Sequence, residues 1–154
     1  MRIGAGAYVG IGTILDEKVV CQPNTYIGHF VKIGRSTRVT YAAQIHNGVK
    51  IGADGWVGGF LCNRAVLENQ VVCLGKLLHR FVEADRHLDE EKSPYIEFGA
   101  VIGMGSAVIG GVRIGRHAYL AANSVLTRDA MAARLYVGNP ARDVGSAPIP
   151  FKKE

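Results

Sequence analysis

The chain has 154 residues, 48% of them apolar and 20% charged, which favours a packed core and excludes a disordered tract as the default. Its 20 glycines and 5 prolines point to many tight turns without the composition of collagen or a low-complexity segment. The net charge of +5 is carried by scattered lysines and arginines rather than the basic run that marks nucleic-acid binding, and there is neither a secretory signal nor an apolar run of membrane-spanning length, so no nucleic-acid or membrane partner and a cytoplasmic location are expected.

A six-residue repeat starts at once. Ile3, Val9, Leu15, Cys21, Ile27, Ile33, Val39, Ile45, Ile51 and Val57 form one column, and Ile96, Ile102, Val108, Ile114, Leu120 and Leu126 form another. Fifteen of these sixteen positions are Ile, Leu or Val; chance predicts about four, so the period is real. A second column, four residues after the first, holds small residues such as Ala7, Thr13, Thr25, Thr37, Ala100, Ser106 and Ser124. A period of six fits neither an α-helix nor simple strand alternation. It fits short parallel strands joined by tight turns that all bend the same way. Three hexads close a triangular coil, with the aliphatic residues stacked inside. Cys21 and Cys73 fall at inward positions and read as buried thiols; with Cys62 they form neither a disulfide framework nor a zinc knuckle.

Hexads run weakly through 63–74 and fail from Gly75 to Tyr95, a stretch that includes the charged run 83–92. This predicts a protruding loop over about 75–95, and long loops in compact domains carry function. The expected order is about four coils, the loop and two more coils to residue 142, then an irregular tail over 143–154 with Pro148 and Pro150.

The hexad of aliphatic residue, glycine, two variable positions and a small residue resembles the hexapeptide-repeat acyltransferase family. The resemblance implies an all-β, left-handed parallel β-helix, a homotrimer, and acetyl-CoA lying between subunits. The stretches Ile96–Gly103, Ile114-Gly115, Asn123–Asp129 and Val137–Arg142 are similar to the end of the galactoside, maltose and xenobiotic acetyltransferase group. In that group a loop with the catalytic histidine precedes the last coils, and His79 occupies a similar place. By the same resemblance, backbone near Met104 and Ala122 would face the pantetheine arm, and Thr127, Arg128 and Arg142 would meet the nucleotide and its phosphates. Arginine suits that role because its guanidinium is always charged and forked.

Acyl transfer needs a base for the acceptor's hydroxyl or amine, and histidine titrates near neutrality. His79 is the first candidate. His46 is the second, because His46-Asn47 resembles the histidine–asparagine pair of lipid A acyltransferases. Asn47, Trp56 and Glu83 are candidate acceptor contacts: Trp56 offers a stacking surface, and Glu83 a carboxylate near His79. His29, His46 and His79 are too widely spaced to support the three-histidine zinc site of the carbonic anhydrases that share this fold, so no metal is expected. The leading expectation is an acyl-CoA-dependent O- or N-acyltransferase acting on a sugar, nucleotide sugar or other small polar acceptor. The alternatives are a non-enzymatic β-helix used as a scaffold or assembly subunit and, with less support from the histidine spacing, a zinc-dependent carbonic-anhydrase-like protein of the same fold.

Overall fold

The computed structural model describes residues 1–80 and 92–148. The described chain is a parallel β-helix of about seven turns, one more than the hexad count predicts. The first face begins with Arg2–Ile3, Val20–Cys21 and Arg38–Val39 and ends with Tyr119–Leu120 and a hairpin, Arg134–Gly138 against Ala141–Ser146. The second face runs from Tyr8–Val9 and Tyr26–Ile27 through Lys76–Leu78 to Val125–Leu126. The third runs from Ile14–Leu15 to Arg113–Ile114. Apart from that antiparallel hairpin, each strand pairs in parallel with the strand one coil away, so backbone groups are satisfied between coils.

The aliphatic column lies inside. Ile27, Ile45, Leu61, Leu77, Ile102, Ile114 and Leu120 are essentially inaccessible to water. Burial of a side chain this size contributes about 1.5–3 kcal/mol, and the column repeats it at every coil. The small column faces the narrow corners: Thr37 Oγ1 donates to the Gly52 carbonyl at 2.8 Å and accepts from the Gly55 N–H at 3.0 Å. Cys73 is fully enclosed, and burial pushes its thiol up to about 12, which removes it as a nucleophile.

The extra turn comes from residues 58–78. The inward column steps from Val57 to Leu61, and again from Cys73 to Leu77, by four residues instead of six. Both short steps lie at the corner between the first and second faces, one coil above the other. Leu61, which the hexad register places in the small-residue column, is therefore a core residue of the next face. The departure from the coil begins later than residue 75, because Lys76–Leu78 is a strand paired with Ala107–Ile109. The chain returns at Tyr95–Ile96 on the third face. The insertion thus leaves at the corner between the second and third faces. At the C-terminal end, strand structure extends through Ser146, past the residue where an irregular tail was expected. No helix among the described residues is long and apolar enough to cross a membrane.

Candidate functional site

The corner between the second and third faces carries a column of side chains, one per coil: Ile11, His29, Asn47, Asn63, His79, Gly110 and Arg128. Its upper members form a ladder. The Ile11 N–H donates to His29 Nδ1 (2.9 Å), the His29 N–H to Asn47 Oδ1 (2.8 Å) and the Asn47 N–H to Asn63 Oδ1 (3.1 Å). Each side chain satisfies a backbone donor that the turn leaves without a strand partner. Asn47 therefore has a structural role, since its carbonyl oxygen is already engaged.

His79 is the next residue down this column, half-buried where the chain leaves the coil. The adjacent Arg80 reaches down the corner, and its Nη2 donates to the Thr127 carbonyl at 3.0 Å. Gly110, at φ +90°, turns the chain beside this crossing; an added Cβ there would lie in ordinary contact with the Arg80 side chain at 3.4 Å, so the backbone conformation and not space calls for glycine. On the far side of the insertion, Ser93 Oγ donates to the Asn63 carbonyl at 2.6 Å. Both ends of the insertion are thus pinned to the same corner. Glu83 lies outside the described residues.

Below His79, the last coil and the terminal hairpin enclose a cleft of about 390 Å³ lined by Thr127, Arg128, Asp129, Tyr136, Pro140 and Arg142, among others. Its carboxylates are already engaged. Asp129 Oδ1 accepts the Arg113 N–H (2.8 Å), and Asp143 is paired with Arg134 (2.9 Å). That pairing holds the Asp143 carboxyl below the usual range. Among the described residues Arg128 and Arg142 have no ion-pair partner, so the cleft presents two uncommitted guanidinium groups. Such a surface accepts phosphate groups.

Thr127, Arg128 and Arg142 lie together along this cleft. Met104 and Ala122 also lie together, exposed and one coil apart, with the Asn123 N–H donating to the Met104 carbonyl at 3.0 Å. They occupy the corner between the first and second faces, however, a different corner from that of Thr127 and Arg128. Trp56 is exposed on the first face, paired with Arg38 and Val72 in register. In a triangular coil that face lies opposite the corner of His79, so within one chain Trp56 and His79 cannot share a ligand.

The two candidate bases differ in position and surroundings. Coils are spaced by about 4.8 Å, the distance between paired strands. His79 is two coils above Thr127, on the order of 10 Å, whereas His46 is four coils above it. His46 is half-buried on the second face between Tyr26 and Phe60, with ring centroids at 5.7 and 4.6 Å. Burial lowers its pKa from the ordinary histidine value. The neutral imidazole is thus favoured in the fold, while the unfolded chain takes up a proton near pH 6.5. Between the folded pKa and about 6.5 the unfolded state binds more protons, so stability falls as pH drops below about 6.5. The thermal midpoint of His46→Phe should therefore depend less on pH across that window than the parent's. Parallel curves would remove His46 as the cause.

Residues 93–128 match the profile of the bacterial transferase hexapeptide (six repeats) family. The Escherichia coli K12 serine acetyltransferase is 31% identical over 111 residues, covering 70% of this chain and 40% of that protein. A solved Bacillus cereus protein, assigned as an acetyltransferase, superposes with a TM-score of 0.76 at 19% identity, covering 94% of this chain and 86% of that one. The Brucella abortus serine acetyltransferase solved with coenzyme A superposes at 0.53 with 19% identity, covering 78% of this chain and 41% of that one. The chain spans well under half the length of the serine acetyltransferases it matches. The shared fold is the left-handed parallel β-helix, so the winding is of the sense the hexad resemblance implied.

Proposed function

We propose that this chain, a member of the hexapeptide-repeat transferase family, is an acyl-CoA-dependent acetyltransferase that acts on a small polar acceptor. The observation that carries the reading is the arrangement of one corner: an arginine-bearing cleft at its base, and His79 two coils above, joined by the Arg80–Thr127 hydrogen bond. Acetyl-CoA, when bound, supplies the activated thioester. Arg128 and Arg142 hold its phosphates, and Thr127 lines the same cleft. His79 takes the proton from the acceptor hydroxyl or amine as that atom attacks the acyl carbon directly; the carbon–sulfur bond of the thioester then breaks, and coenzyme A leaves as the thiol with the proton that His79 returns. A backbone N–H of the corner serves the developing oxyanion.

A homotrimer completes this reading. A closed ring uses two different patches on every subunit. In a ring, the corner bearing Met104 and Ala122 on one subunit can face the cleft corner of the next. The two groups of cofactor residues, separated within one chain, then serve one cofactor.

Coenzyme A should raise the thermal midpoint in a concentration-dependent way, because a ligand that binds only the folded state stabilises it by mass action. Replacing Arg128 and Arg142 together with alanine should move the response to higher coenzyme A concentration without changing the unliganded midpoint. No stabilisation of the parent at millimolar coenzyme A would overturn the acyltransferase reading and leave the scaffold.

A further inference from the structure

A backbone ladder runs down the corner of His79, beside the side-chain ladder of His29, Asn47 and Asn63. The Phe30 N–H donates to the Ile11 carbonyl, the Gly48 N–H to the His29 carbonyl and the Arg64 N–H to the Asn47 carbonyl, each at 2.9 Å. The next step would join the Arg80 N–H to the Asn63 carbonyl, and the one after it the Gly111 N–H to the His79 carbonyl. Neither bond is formed among the described residues. Ser93 Oγ takes the Asn63 carbonyl instead, at 2.6 Å. The ladder is therefore broken on both sides of His79, where the chain leaves the coil.

The last backbone bond before His79 runs from the Gly110 N–H to the Leu78 carbonyl, at 2.8 Å. The tie that follows His79 in sequence is a side chain. Arg80 runs past Gly110, and its Nη2 donates to the Thr127 carbonyl at 3.0 Å. At the corner above, the chain goes from Asn63 straight into the third-face strand Val66–Leu67. After Arg80 it does not, and the third-face strand of this coil is Tyr95–Ile96. The Arg80 guanidinium thus does what a strand does at an ordinary corner. Its bond also ends on the wall of the arginine-bearing cleft, which Thr127 and Arg128 line. Arginine suits a span of this length, because its planar fork loses little freedom for each hydrogen bond formed.

We infer that Arg80 is the positioning residue for His79, and that its bond to the Thr127 carbonyl sets the place of the base relative to the cofactor cleft; this rests on the acyltransferase reading above. Arg80 acts through His79 and not on the reacting atoms. Transfer depends on the placement, because a shift of about 1 Å at a reacting group costs roughly 10²-fold in rate. Phosphates held by Arg128, the neighbour of Thr127, steady the carbonyl on which Arg80 ends. An occupied cleft therefore fixes His79 more firmly than an empty one.

The test uses Arg80→Ala and Arg80→Lys in the full chain. Arg80 is exposed, so neither change disturbs the core. The His79 imidazole is followed by carbon–proton NMR, its signal assigned by its loss in His79→Ala. In the parent that signal should be sharp and should move when coenzyme A is added. In Arg80→Ala it should broaden and no longer respond to coenzyme A, although the thermal midpoint still rises through Arg128 and Arg142. With an acceptor found by thiol release, kcat should fall about 10²-fold in Arg80→Ala with KM for acetyl-CoA unchanged. Arg80→Lys keeps a donor on a long stem and should fall between the two. A His79 signal that is the same in Arg80→Ala as in the parent overturns the positioning role. So does a rise in KM with kcat unchanged, which would make Arg80 a cofactor contact. A lowered midpoint in both variants with kcat unchanged would make the bond one of stability alone, and also overturns it. Absence of coenzyme A stabilisation in the parent defeats the acyltransferase reading. An unchanged His79 signal beside intact stabilisation defeats the role of Arg80 alone.

Discussion

His79→Ala is expected to lower acetyl transfer by about 10²- to 10⁴-fold, the usual contribution of a positioned general base, while coenzyme A still stabilises the variant as it does the parent. The two readouts separate because the cleft residues lie two coils below His79 and do not depend on its ring. Release of the coenzyme A thiol, followed with a panel of sugar and amine acceptors, measures the transfer. Loss of both transfer and coenzyme A stabilisation would mean that His79 supports the corner rather than the chemistry. Unchanged transfer would move the base to His46, although that ring packs between Tyr26 and Phe60, two coils further from the cleft. The upper ladder sharpens the choice. His29 and Asn47 already accept backbone hydrogen bonds. His29 therefore has Nδ1 committed to the Ile11 N–H and serves the coil.

The coil was legible in the sequence because its cause is local. Every inward residue must be aliphatic at a fixed spacing, and a run such as Ile27, Ile33, Val39, Ile45 states that directly. Where the spacing changed, the reading failed. Val57 to Leu61 spans four residues, the same offset as the small-residue column, so a core leucine looked like a corner residue and the register was lost up to Ile96. The arginine-bearing cleft was partly legible: Thr127, Arg128 and Arg142 meet, but the engagement of Asp129 and Asp143 that leaves the arginines uncommitted depends on Arg113 and Arg134, which no spacing rule connects to them. The aromatic neighbours of His46 were not legible. Tyr26, His46 and Phe60 are neighbours only through coil register, and that register changes at residues 58–59. Trp56 stood out as the lone tryptophan, but it lies on the face opposite His79.

That short corner is itself testable, and Gly59→Ala is expected to be among the most damaging single-methyl changes in the chain. Positive φ alone does not explain why glycine stands there. Eleven non-glycine residues among those described, including Asn24, Ala42 and Asn123, adopt φ between 53° and 61° at ordinary corners. The fold tolerates that conformation at about 1–2 kcal/mol for an L-residue. Gly48, at φ +68°, is the ordinary case: an added Cβ would meet only Arg64 Cγ at 3.3 Å, and a long side chain can move aside. Gly59, at φ +69°, is different. Its Cβ would press into the carbonyl of Gly75, the equivalent corner one coil below. That carbonyl also accepts the Phe60 N–H at 3.3 Å, so it cannot retreat without loosening the pairing of two coils. Overpacking against fixed backbone adds about 1–3 kcal/mol to the conformational cost. Gly48→Ala should therefore lose about 1 kcal/mol and Gly59→Ala about 3 kcal/mol or more, a difference of roughly 5 °C in thermal midpoint for a domain of this size. Urea or thermal unfolding of the two variants side by side measures it. Equal losses would mean that the four-residue step has slack, and that the stacking of the corners at Gly59 and Gly75 does not set the register of the coil carrying His79.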